Sequence, residues 1–142
     1  MKRLLLMSLA LAFAFTACES DSDPIEGIQG TLTIGSNSSG GAYYVYLDDD
    51  ADPASEYGAR VIGELDPGQT SVSYSLDTST VPAGSYYLYA GYDSESTTNM
   101  DPLNPGWWER IGWYGSENFE APVSRNVTEL DGIYDITLHD LP

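Results

Sequence analysis

Two groups of residues in this chain of 142 carry side chains able to do chemistry beyond packing. The first is acidic: Asp93, Glu95, Asn99 and Asp101 supply oxygen ligands over nine positions, the donor type that a hard cation such as Ca²⁺ gathers six to eight of. Ser94, Ser96, Thr97, Thr98 and Met100 separate them, there is no glycine for a sharp turn, and Pro102 follows. A solvated polar loop is the competing reading. Asp48, Asp49, Asp50 and Asp52 form a denser cluster, in which a cation would relieve the repulsion between neighbouring carboxylates, with a solvated turn again the competing reading. The second group is aromatic: Trp107, Trp108, Trp113 and Tyr114, close to Glu109 and Arg110. On a regular strand Trp107 and Trp113 share one face and Trp108 and Tyr114 the other. One face is then core, and the other either core as well or an exposed platform for stacking on sugar rings.

Catalysis has little to build on. His139 is the single histidine and sits beside Asp140 near the end of the chain, with no serine or cysteine in a nucleophile context. Zinc-type His/Cys spacing, Gly-x-Ser-x-Gly and phosphate-binding loops are absent from the sequence, so no enzymatic activity and no catalytic residue are expected.

The elements that must position these residues are strands. Ile28, Gly30, Leu32 and Ile34 alternate with polar residues; Tyr43, Val45 and Leu47 alternate with Ala42, Tyr44 and Tyr46; Val72, Tyr74 and Leu76 alternate with Ser71, Ser73 and Ser75. A further run covers Ala59 to Leu65. Pro82 and Gly84 form a turn that feeds the most strand-like run of the chain, Ser85 to Tyr92. There Tyr86, Leu88, Ala90 and Tyr92 face one way and Tyr87 and Tyr89 the other, which predicts a central strand covered at least in part on both faces. Trp107 to Tyr114, Ala121 to Thr128 and Ile133 to Leu138 complete seven or eight strands separated by turn residues. No helical periodicity appears over a useful length. The spacing predicts an all-β, antiparallel β-sandwich over residues 28–142, because no segment between strands could serve as a helical crossover.

Ahead of the domain, Lys2 and Arg3 precede an apolar run from Leu4 to Phe15, too short to span a bilayer, and then Phe15-Thr16-Ala17-Cys18. This resembles a bacterial lipoprotein signal with its lipobox, with phenylalanine where such boxes usually carry leucine. The resemblance implies cleavage after residue 17, lipidation of Cys18 and attachment to the membrane through that cysteine. It also implies the outer membrane, since Glu19 stands where an aspartate would favour inner-membrane retention. Residues 18–27 then form the lipidated cysteine and an acidic tether. Cys18 is the only cysteine, so no disulfide forms within one chain.

The balance of charge is extreme. The whole chain carries −17, and removal of residues 1–17 leaves three arginines, Arg60, Arg110 and Arg125, against all 22 acidic residues, a net charge of −19. Such a surface repels nucleic acid and anionic headgroups, which excludes both as partners by direct electrostatics. Solubility and cation binding are the two readings of the excess.

The order of a first strand, a Ser-rich loop, the strand Ala42 to Asp48, the segment Val81-Pro82-Ala83-Gly84-Ser85-Tyr86-Tyr87-Leu88, an acidic loop after Asp93 and Gly112-Trp113-Tyr114-Gly115 resembles the prealbumin-like (transthyretin-like) sandwich modules of bacterial envelope proteins. Carboxypeptidase regulatory-like domains belong to the same loose group. The resemblance implies a prealbumin-like or immunoglobulin-like sandwich, monomeric or weakly associating, that acts as a non-catalytic structural or binding module. A carbohydrate-binding module using Trp107, Trp108 and Trp113 is the alternative, and an envelope protein or a glycan the expected kind of partner.

Overall fold

The computed structural model describes residues 26–35, 38–52, 58–95, 108–117 and 124–141. They contain eight strands: β1 (Ile28–Thr33), β2 (Gly41–Asp48), β3 (Ala59–Leu65), β4 (Ser71–Leu76), β5 (Tyr87–Asp93), β6 (Arg110–Trp113), β7 (Ile136–Thr137) and β8 (His139–Asp140). These form two sheets, one of three strands in the order β4-β1-β7 and one of five in the order β3-β2-β5-β6-β8. The sandwich expected from the alternation is therefore present, and the run after the Pro82 turn becomes β5, the middle strand of the larger sheet.

Period-2 alternation decides which side chains meet between the sheets. Tyr43, Val45 and Leu47 of β2 and Leu88, Ala90 and Tyr92 of β5 pack against Ile28 and Leu32 of β1, Tyr74 and Leu76 of β4 and Ile136 of β7. The opposite residues of β2 and β5 do not face water. Tyr44, Tyr46 and Tyr89 are 0%, 1% and 0% exposed in a second apolar layer on the outer face of the larger sheet. The central strands β2 and β5 are thus buried on both faces, which explains why they read as nearly continuous apolar and aromatic runs. β4 keeps the one-sided pattern of a strand with a solvated face, its three serines exposed.

The C-terminal run departs from the expectation in two ways. Ile133 to Leu138 is not one strand: Ile136–Thr137 pairs with β1, and His139–Asp140 pairs with β6 in the other sheet, so the chain crosses between sheets at buried Leu138. The β1–β7 pairing is also parallel, as is the bridge between Gln29 and Ile133. Parallel pairing needs a long connection, and here nearly the whole domain lies between the partners. This segment closes one side of the sandwich, and on the opposite side lie the edge strands β3 and β4. Ala121 to Thr128 contributes Val127, bridged to Tyr86, with residues 121–123 outside the described residues.

Burial gives the tyrosines a measurable signature. Tyr74 and Tyr89 both have phenol pKa values raised above the ordinary 10, chiefly by burial, with Asp135 adding to the effect at Tyr74 and Asp48 at Tyr89. In the unfolded chain both titrate at the ordinary value. Stability is therefore undiminished below about pH 10 and falls as the pH rises further, because the unfolded state sheds protons that the folded state holds. Phenolate absorbance followed with circular dichroism should show these two groups ionising only as the fold is lost. Titration of all eleven tyrosines near pH 10 with the fold intact would contradict the burial.

Candidate functional site: two acidic turns, an aromatic layer and a groove

The two acidic clusters stand at opposite ends of the larger sheet. β2 and β5 run antiparallel, with Asp48 opposite Tyr87 and Asp93 opposite Ala42, so Asp48 and Asp93 lie at opposite ends of the pair. Asp48 is fully buried, and its carboxylate accepts the Asp50 amide at 3.0 Å and the Tyr89 hydroxyl at 3.4 Å; Asp50 in turn accepts the Asp52 amide at 2.9 Å. Asp93 is 6% exposed and accepts the Glu95 amide at 2.8 Å. These are Asx turns, in which a side-chain oxygen replaces the next turn's backbone acceptor, the local use that Asp serves at strand ends. Glu95 itself is exposed. Asn99 and Asp101 lie outside the described residues, as do Cys18 and Trp107.

Among the described residues no group of three or more His, Cys, Asp or Glu side chains converges as a metal site would require. Asp48, Asp50 and Asp93 direct their carboxylates to amides two residues on. The thermal midpoint should rise with the ionic strength of a sodium salt, as repulsion within this acidic chain is screened. A larger shift with calcium, removed by Asp93→Ala, would show Asp93 converging with Asn99 and Asp101 on an ion.

The aromatic residues form a layer. Trp108 stacks over Tyr44 and Tyr46 with ring centroids 6.2 and 6.1 Å away and interplanar angles of 18° and 15°, and Tyr46 stacks on Tyr89 at 5.2 Å. Trp113 meets Tyr89 at 6.2 Å. The alternation argument put Trp108 and Trp113 on opposite faces, and here the structure corrects it: both belong to this outer layer. The strand begins only at Arg110, and the turn before it, pinned by the Glu109 amide on the Tyr92 carbonyl at 2.8 Å, swings Trp108 back over the sheet. Trp108 and Trp113 are 3% and 5% exposed, so as placed they offer no open ring face to a sugar. The Trp108 Nε1 is buried with no hydrogen-bond partner among the described residues.

Arg110 ties three elements together. Its Nε donates to Asp140 at 2.7 Å, its Nη1 donates to the Ile34 carbonyl at 3.0 Å, and the guanidinium lies 5.6 Å from the Tyr92 ring centroid. The Tyr92 hydroxyl donates to the Gly40 carbonyl at 2.7 Å. Beside this hub, the Ser94 hydroxyl donates to Glu109. Although His139 adjoins Asp140, that carboxylate is committed to Arg110, and the His139 Nε2 is buried without a hydrogen-bond partner among the described residues.

One groove, of about 960 Å³, was not visible from the sequence. It lies where the chain enters the domain at Glu26 and Gly27, and three turns build it: Glu26–Gly27, Asp77–Ser79 and Thr128–Asp131. The Thr78 hydroxyl donates to the Leu130 carbonyl at 2.6 Å and holds two of these turns together. Four carboxylates, Glu26, Asp77, Glu129 and Asp131, line it with no basic residue among them. The amide and hydroxyl of Ser79 hold the Asp77 carboxyl below its ordinary pKa. These residues are far apart in sequence, and only the β1–β4 pairing and the return of the chain after Val127 bring them together.

Comparison with protein-family models, with curated proteins and with solved structures finds no match for this chain.

Proposed function

We propose that this chain is a lipid-anchored bacterial envelope protein, held in the outer membrane through Cys18, whose prealbumin-like sandwich works as a non-catalytic structural or binding module. The observation that carries the reading is the burial of β2 and β5, at the middle of the larger sheet, on both faces. Tyr44, Tyr46, Tyr89, Trp108 and Trp113 fill the outer face that a ligand-binding sandwich would leave open. The basic and apolar leader ending in Phe15-Thr16-Ala17-Cys18 supports the anchor, and the acidic residues 19–26 suit a solvated tether. The excess of negative charge turns such a domain away from anionic surfaces.

Fractionation of cells producing the full chain tests the anchor. The protein is expected with the membranes and extractable by detergent, and Cys18→Ser is expected to release it or leave it unprocessed. A wild-type chain found free of membranes would sink the proposal.

The carbohydrate-binding alternative requires Trp108 or Trp113 to be uncovered. Acrylamide quenching decides it: in a Trp107→Phe variant, the remaining emission should be blue-shifted, weakly quenched and unaltered by oligosaccharides, as for indoles in an apolar layer. Strong quenching relieved by a sugar would move the reading to that alternative.

A further inference from the structure

The backbone directions in the smaller sheet show which hydrogen-bonding groups it leaves over. The Gln29 amide donates to the Gly132 carbonyl at 3.0 Å, the Tyr134 amide to Gln29 at 2.8 Å and the Leu138 amide to Thr33 at 2.8 Å, so odd-numbered residues of β1 turn their backbone groups to the C-terminal segment. Even-numbered residues must then turn theirs to β4, as Ile34 does in donating to the Thr70 carbonyl at 2.8 Å. Their register partners are Leu76, Tyr74 and Val72. The backbone groups of Ser71, Ser73 and Ser75 therefore point away from β1, along a margin with which no strand pairs among the described residues.

Edge strands of this kind are usually blunted by lysine, proline, an inward charge or a bulge. β4 has none of these: Ser-Val-Ser-Tyr-Ser-Leu is regular over all six residues of its pairing with β1. It is also uncharged, although the protein is strongly acidic. Pro67 to Leu76 carry no charged side chain, and Asp66 and Asp77 mark the ends of that run.

We infer that β4 is a self-pairing edge, on which a second copy of this chain adds its own β4 antiparallel about a two-fold axis. A one-residue slip would turn core residues to solvent, so the register must keep Val72, Tyr74 and Leu76 on the inner face of both copies. Centring on Ser73 does so. Ser73 then faces Ser73 of the other copy, Ser71 faces Ser75, and Val72 faces Tyr74, with the outward backbone groups forming the hydrogen-bonded pairs. Asp77 falls opposite Gln69, so no carboxylate meets another across the seam. Local neutrality keeps this seam free of like-charge contacts: each copy carries −19 overall, but the residues that would meet, Pro67 to Leu76, are uncharged, and salt screens the remainder over about 8 Å, whereas a basic strand would find no carboxylate on β4 to pair with. The two smaller sheets become one six-stranded sheet.

Engineered cysteines test both the pairing and its register in the full chain. Directly opposed, hydrogen-bonded residues lie about 5.5 Å apart between Cα atoms, within disulfide range, while residues offset by four positions lie roughly 13 Å apart. Ser73→Cys is expected to give a covalent dimer under mild oxidation in intact cells. Ser75→Cys alone should give no more than the wild-type chain, which serves as the blank for Cys18. Co-production of Ser71→Cys with Ser75→Cys should restore crosslinking. Adding Ser73→Pro to that pair removes an outward amide and should abolish the crosslink without shifting the thermal midpoint of the fold. Absence of a Ser73→Cys dimer, equal crosslinking at Ser75→Cys, or crosslinking that survives proline would overturn the inference and leave the edge to a different partner strand.

Discussion

Gly30→Ala is expected to prevent stable folding of the domain, at a cost of more than about 4 kcal/mol, a size reached only when a buried feature is broken outright. Gly30 takes the place of a core-facing side chain in the middle of β1, between Ile28 and Leu32. A Cβ there would lie 1.9 Å from the Tyr134 carbonyl oxygen and 2.9 Å from the Tyr74 hydroxyl. Those two atoms are bonded to each other, the hydroxyl donating to the carbonyl across the space that the glycine leaves. Because the nearer obstacle is backbone, no rotamer change relieves it. The segment around Tyr134 would have to withdraw, breaking its two bonds with Gln29, and the Tyr74 hydroxyl would be left buried without its acceptor. Gly58→Ala is the matching control, since the nearest atom to its Cβ is 3.4 Å away; its midpoint should move by no more than a few degrees. If Gly30→Ala melted like the wild type, the packing of the C-terminal segment across β1 would be wrong.

Trp108→Ala is expected to cost about 3–5 kcal/mol, the range for deleting a buried indole, or a fall in midpoint of roughly 12–20 °C for a domain of this size. The indole rests on Gly91 of β5, where a Cβ would come within 2.7 Å of its ring. It covers Tyr44 and Tyr46, so its removal opens the outer layer to water over two further rings. Trp108→Phe should cost less than half as much, because most of the stacking survives and the indole N–H, buried without a partner among the described residues, goes with it. Gly91→Ala should resemble Trp108→Ala, by lifting the ring from the sheet rather than deleting it. Chemical denaturation of the four proteins measures all three differences. A near-neutral Trp108→Ala would mean that the layer is not part of the folded core.

These two sites show what the chain discloses on its own and what it withholds. Alternation in β1, β2, β4 and β5 assigns inward and outward residues correctly, since a strand half or wholly buried must repeat every second residue. It even signals that β5 is covered on both faces. It fails at Trp108, where the strand has not yet begun and a turn sets the side chain's direction. It fails again at Ile133 to Leu138, a pattern that fits one strand as well as two short ones in different sheets. Gly30 reads as one small residue in an apolar row; only the approach of Tyr134 from the other end of the chain makes it irreplaceable. The acidic groove at Glu26, Asp77, Glu129 and Asp131 was illegible for the same reason. The aspartates at the strand ends were legible as turn formers at Asp48 to Asp52, and Asp48, Asp50 and Asp93 each bond an amide two residues on.

The proposed anchor is tested most directly by the intact mass of the mature protein extracted from membranes. The expected mass is that of a chain beginning at Cys18, without residues 1–17, increased by the acyl groups of a diacylglyceryl cysteine. Cys18→Ser should yield no such species. A mature chain that begins elsewhere, or that retains Cys18 as a free thiol, would contradict the account.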